Sequence, residues 1–227
     1  VQRQRMDLGT IEAVLLDMDG TLVDSDAAVE RAWSIWAQEY GVDVDAVLAV
    51  AHGNPAARTV RRLLPGLDDE AAVAATRRQH ALQYDDLADV TAAPGADLLI
   101  AALDRLALPW AVVTSADGRL AKARLHAAGI EPPVLLTIDD VRAGKPDPEG
   151  YLEGAARLGV PPPACLVVED SEPGLAAGRA AGMPTAALRG LSGDLSLPDL
   201  GRLAHLLERS RVDGGRLLER GAACPTT

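Results

Sequence analysis

Residues Ala13 to Asp24 read Ala-Val-Leu-Leu-Asp-Met-Asp-Gly-Thr-Leu-Val-Asp. The run Ala13 to Leu16 is continuously apolar rather than alternating, the pattern of a strand buried on both faces of a parallel sheet. It then breaks into two carboxylates and a glycine. Strand side chains alternate, so Asp17 and Asp19 project in the same general direction while the backbone turns at Gly20. Two carboxylates at the carboxyl edge of a central strand repel each other, and a divalent cation offsets that cost. One could act as a nucleophile and the other as an acid/base. A solvated strand-to-loop turn explains a bare Asp-x-Asp about as well, but the run Asp17 to Asp24 is far more specific.

Further apolar runs follow at Trp110–Val113, Val134–Leu136, Leu166–Val168 and Thr185–Leu188. Helical patterns lie between them at Ala96–Leu106, Gly118–Ala128, Pro148–Leu158 and Pro173–Ala181. Gly129, Gly159 and Gly182 stand where helices stop. Such alternation predicts an α/β fold with a doubly wound parallel sheet. The interval from Ser25 to Pro94 is too long for one crossover. It carries helical patterns at Ala28–Tyr40, Ala56–Leu64 and Glu70–Leu87, with Trp33, Ile35, Trp36 and Tyr40 on a broad apolar face. The chain is therefore divided into an α/β core, residues 1–24 and 95–227, and an inserted helical domain, residues 25–94. Beyond Ser192 one helix, Pro198–Arg209, and a weakly structured end are expected.

Composition narrows the function. Of 227 residues, 48% are hydrophobic, and 22 basic against 33 acidic residues give a net charge of −11. That balance argues against a nucleic-acid partner and an anionic membrane surface. The longest apolar stretch, Leu98–Ala116, is interrupted by Asp104 and Arg105, so no spanning helix is expected. Val1–Gly9 is polar, and no secretory signal is expected. Cys165 and Cys224 cannot build a disulfide scaffold, which points to a reduced cytoplasmic compartment. Lys122 and Lys145 are the chain's lysines; every other basic residue is an arginine.

The other strand ends also carry polar groups. Thr114 and Ser115 follow the second strand, where a hydroxyl can bond an anionic oxygen or simply close an ST-turn. Lys145 lies in Gly144-Lys145-Pro146-Asp147-Pro148, whose prolines restrict the loop and aim the ammonium. Glu169 and Asp170 follow the fourth strand, where they could complete a magnesium site or complement a helix dipole. If the first strand is central, all four sites converge on one sheet edge.

This constellation resembles the haloacid dehalogenase superfamily, specifically its phosphatases with a helical cap inserted after the first motif. Asp17-Met18-Asp19-Gly20-Thr21, Thr114-Ser115, Lys145-Pro146 and Glu169-Asp170 carry the likeness. It implies a Rossmann-like core with a helical cap and the hydrolysis of a small phosphate monoester. Asp17 would then be the nucleophile, forming an aspartyl-phosphate, and Asp19 the acid/base. Thr114 and Lys145 would hold the phosphoryl oxygens. Magnesium would be bound by Asp17, Asp170 and the Asp19 backbone carbonyl, with Glu169 contacting the metal or its water. Ala32-Trp33, His52-Gly53, the stretch Trp110–Ser115 and Gly144-Lys145-Pro146 look closest to sugar- and polyol-phosphate phosphatases. Asp19 argues against a dehalogenase. The mutases of the superfamily carry a histidine where Val29 aligns, and a phosphonate hydrolase would need a cap lysine. A phosphosugar mutase and a phospho-accepting module without turnover are the alternatives.

Specificity must come from the inserted domain. Its loop Ala51-His52-Gly53-Asn54-Pro55 is polar and turn-rich. His52, Gly53, Asn54 and Arg58, with Glu30 on the first inserted helix and Ser115 on the core, are the expected substrate contacts. A monomer acting on a small phosphate ester is expected.

Overall fold

A computed structural model describes residues 6–51, 54–84 and 86–221, with backbone alone for 212–221. Its centre is a six-stranded parallel sheet. The strands are β1 (Ala13–Leu16), β4 (Trp110–Val113), β5 (Leu135–Leu136), β6 (Cys165–Glu169), β7 (Thr185–Ala187) and β8 (Leu195–Ser196). Their order is β5-β4-β1-β6-β7-β8, so β1 is central. Every residue of β1 is buried. Val14 and Leu16 face one apolar cluster, with Leu99, Leu103, Val112, Leu125 and Leu203. Ala13 and Leu15 face another, with Val113, Tyr151, Ala155 and Val167. This two-sided burial is why the strands read as unbroken apolar runs.

Helices α5 (Ala96–Arg105), α6 (Gly118–Ala127) and α9 (Leu200–Gly221) contribute to the first cluster, and α7 (Glu149–Leu158) and α8 (Glu172–Ala180) to the second. The arrangement is the expected doubly wound α/β core. Val134 and Leu188 lie outside the strands they were read into. The tail helix is longer than expected, running to Gly221 rather than stopping at Arg209.

Between β1 and β4 come α1 (Asp26–Tyr40), α2 (Val44–Ala51), α3 (Ala56–Leu63) and α4 (Asp69–Tyr84). They have an apolar cluster of their own, built on Trp33, Trp36, Val47, Val60, Ala72 and Ala75. Trp36 stacks on Tyr40 at 4.7 Å between centroids, and its indole N–H donates to Ala75 O at 2.9 Å. Ile35 is not on this face: it is 44% exposed, one position off the Trp33-Trp36-Tyr40 row. The chain leaves and re-enters the core through β2 (Val23–Asp24) and β3 (Thr91–Ala92), which pair antiparallel.

Candidate active site

Asp17 follows the last residue of β1 and donates its backbone N–H to Val168 O at 3.0 Å. Its side chain is buried at the carboxyl edge of the sheet. The ammonium of Lys145 reaches it from the loop before α7, donating to Oδ1 of Asp17, to Oε1 of Glu169 at 2.6 Å and to Val113 O at 2.9 Å. An ammonium has three protons, and these acceptors use all of them.

Glu169 ends β6 and is wholly buried. Its Oε1 also accepts from the Tyr151 hydroxyl at 2.8 Å. Its Oε2 accepts from Ser171 Oγ at 2.8 Å and from the N–H groups of Asp170 and Ser171 at 3.2 Å. Both oxygens are thus committed to protein donors. Ser171 caps α8, accepting from Gly174 N at 3.2 Å. Gly20, with φ +79°, turns the chain under Asp170: a Cβ there would fall 2.1 Å from Asp170 Oδ2.

Charge is unbalanced here. Carboxylate oxygens of Asp17, Glu169 and Asp170 come within 4.8 Å of one another. Burial, with Glu169 and Asp170 adding to it, holds the Asp17 carboxyl well above its ordinary range despite Lys145. Burial and Glu169 push Asp170 up to about 7, against Arg189 and Lys145. Burial alone would pull Lys145 down, but Asp17 and Glu169 outweigh it and hold the ammonium above its usual value. Three acids against Lys145 and Arg189, which pairs with Asp170 at 3.0 Å, still leave excess negative charge, and Asp17 and Asp170 offer hard oxygen donors that fit a small divalent cation.

Asp19 lies beyond the turn. Its Oδ1 accepts from Ser25 Oγ at 2.7 Å and pairs with Arg124 Nη1 at 2.7 Å. Arg124 is on α6, its side chain 2% exposed. Its Nη2 donates to Gln83 Oε1 on α4 at 2.7 Å, and Gln83 Nε2 donates to Gln79 Oε1 at 2.5 Å. Sequence reasoning missed this chain. One signal existed: Arg124 lies four residues after Leu120 and three after Ala121, on the helix face that packs inward. Arg189 was missed too; it pairs with Asp170 at 3.0 Å and with Asp26 of α1 at 2.7 Å.

A cavity separates the sheet edge from the inserted helices. Asp17, Asp19, Thr114, Ser115, Asn54 and Arg124 are among the residues that line it. Thr114 Oγ1 accepts from Ala116 N at 3.1 Å, so the ST-turn is present and the hydroxyl proton stays available. Ser115 Oγ is buried without a hydrogen-bond partner among the described residues. Val29 lines the cavity, whereas Glu30 and Arg58 are exposed and do not. Asn54 lies where the loop reading put it; His52 and Gly53 lie outside the described residues.

The haloacid dehalogenase-like hydrolase family matches residues 11–182. Hexitol phosphatase A of Escherichia coli strain K12 is 41% identical over 201 residues, covering 87% of this chain and 92% of its own. The 2-deoxyglucose-6-phosphate phosphatase 1 of Saccharomyces cerevisiae is 35% identical over 190 residues, covering 75% of this chain and 77% of its own. Among solved structures, CbbY from Rhodobacter sphaeroides in complex with phosphate superposes with a TM-score of 0.73 at 25% identity, covering 87% of this chain and 99% of that one.

Proposed function

This chain belongs to the haloacid dehalogenase-like hydrolases, and on that premise we propose that it is a phosphatase of small sugar or polyol phosphates, working through Asp17. The observation that carries the reading is the placement of Asp17. It is buried, its Oδ1 is held by Lys145, and it opens with Asp19 into one cavity under the inserted helices.

A free carboxylate oxygen of Asp17 attacks phosphorus as the bond from phosphorus to the ester oxygen breaks. The departing alkoxide takes a proton from Asp19, leaving a neutral alcohol and an acyl phosphate on Asp17. Water then attacks phosphorus, its proton passes to Asp19, and inorganic phosphate leaves with Asp17 restored. Thr114 and Ser115 offer hydroxyl donors to the phosphoryl oxygens. Lys145 counters the charge that develops beside it and holds Asp17 in place.

Magnesium, held by Asp17, Asp170 and the Asp19 backbone carbonyl, would neutralise the crowded charge and polarise the phosphoryl group. Glu169, whose oxygens are all engaged, serves by fixing Lys145. We take residues 25–94 as the cap that excludes water and reads the alcohol part of the ester. We take the working form to be a monomer, and no described helix is long and apolar enough to cross a membrane. Val29, lining the cavity where mutases carry a histidine, favours hydrolysis over phosphoryl return.

The test is steady-state phosphate release from a panel of sugar, polyol and nucleotide phosphates with magnesium. Turnover of sugar or polyol esters is expected. A stoichiometric burst without turnover, or isomerised sugar phosphate in place of free phosphate, would overturn the reading.

A further inference from the structure

The buried guanidinium of Arg124 has no place in the scheme above, although it touches the group that moves the proton. Removing a cation this completely from water is tolerated only where partners meet it. Its partners come from both halves of the molecule: Asp19 of the core through Nη1 and Gln83 of α4 through Nη2, each at 2.7 Å. Ser25, which precedes α1, donates to the same Oδ1 of Asp19 at 2.7 Å. Both contacts therefore fall on Oδ1, and no hydrogen bond to Oδ2 is found among the described residues. A protonated carboxyl keeps acceptor capacity on one oxygen while the other carries the proton. Pinning Oδ1 from two directions fixes which oxygen carries it and where that oxygen points.

We propose that Arg124 is a positioning residue for Asp19, and that Gln83 makes this placement depend on the inserted helices being docked on the core. The inference rests on the phosphatase reading and deepens it. Proton delivery to the alkoxide is completed only when α4 is seated, because only then does Arg124 have its second partner. The relay continues to Gln79, so the guanidinium is held by a run of amides along one face of α4. An open molecule would keep the nucleophile but lose the ordered acid.

The experiment compares two esters in magnesium-loaded protein. p-Nitrophenyl phosphate releases a weakly basic phenolate that leaves without a proton. Glycerol 1-phosphate releases a strongly basic alkoxide that needs one. General acid–base catalysis contributes about 10²–10⁴-fold. Hydrolysis of the acyl phosphate is common to both esters, so the comparison is made in kcat/KM, which reports the step that expels the alcohol: Arg124→Gln is expected to lower it at least about tenfold more for the glycerol ester than for the aryl ester. Arg124→Lys, which keeps a charge near Asp19, should recover part of that difference. Gln83→Leu leaves the Arg124–Asp19 pair in place and should reproduce the selective loss in milder form; it also decides the matter if Arg124→Gln fails to fold. Equal losses of kcat/KM on both esters would overturn the proposal while leaving the phosphatase reading intact. Wild-type turnover of neither ester would overturn both.

Discussion

Gly174 leaves Glu169 its room: a Cβ built on Gly174 would fall 1.7 Å from Oε1 of Glu169. The first turn of α8 thus lies against the carboxylate that Lys145, Tyr151 and Ser171 hold. Gly174→Ala must displace either the helix or the carboxylate. Overpacking costs about 1–3 kcal/mol, and a displaced Glu169 releases Lys145. We expect a fall in melting temperature together with a loss of kcat exceeding tenfold. Wild-type kcat in the variant would show that the carboxylate can move without consequence.

Lys145 is the only cation hydrogen-bonded to Asp17 among the described residues. Lys145→Met would leave Asp17 and Glu169 buried and facing each other. Breaking such a pair by removing one partner typically costs about 3–5 kcal/mol. Adding Glu169→Gln should restore part of that stability, because it removes one of the stranded charges. Chemical denaturation of the single and double variants measures the coupling. Additive losses would mean that Glu169 and Lys145 do not share their charge.

Asp17→Asn should abolish turnover while the fold, read by circular dichroism and thermal melting, is kept. Chelation should do the same reversibly in the wild type. Magnesium should restore the rate, and calcium, which prefers more ligands and looser geometry, should restore less. Full turnover after exhaustive chelation would remove the metal from the scheme.

His80 of α4 faces Asp117 at 3.3 Å, with Tyr84 donating to the same carboxylate at 2.7 Å. Burial holds His80 below its ordinary value, although Asp117 and Asp139 pull the other way. A depressed histidine binds its proton more readily in the unfolded chain. This group's contribution to stability is therefore complete above about pH 6.5 and fades as pH falls below it. The wild type should lose more stability than His80→Gln between pH 7 and pH 5. Parallel pH profiles would show that His80 stays solvated.

The proposed catalytic edge was legible because its residues sit next to the strands that aim them. Asp17, Thr114, Lys145, Glu169 and Asp170 each follow or end an apolar run, or lie in a proline-bound loop before a helix. What stayed hidden depends on distance along the chain. Gln83 and Arg124 lie 41 positions apart and meet only because α4 docks on α6. Nothing local marks an arginine as buried. Val44–Ala51, a nearly all-apolar segment, gave no clear period, and the two-residue β8 was too short to stand out. Glu30 and Arg58 carried suitable chemistry on the wrong helix faces, which the Trp33-Trp36-Tyr40 row could have revealed for Glu30. The helix past Arg209 crosses Gly214-Gly215, residues that disfavour a helix interior.

Asp24 and Thr91 are register partners across β2 and β3. From the core's side, the whole excursion between them occupies the width of a two-strand ribbon. The core need not know how long the excursion is or what it contains, only that its ends arrive side by side. Such an opening lets the segment lengthen, shrink or be exchanged while Asp17 and its neighbours keep their places. On the proposed reading this makes chemistry and choice of substrate separable: one sheet edge can be issued with many covers.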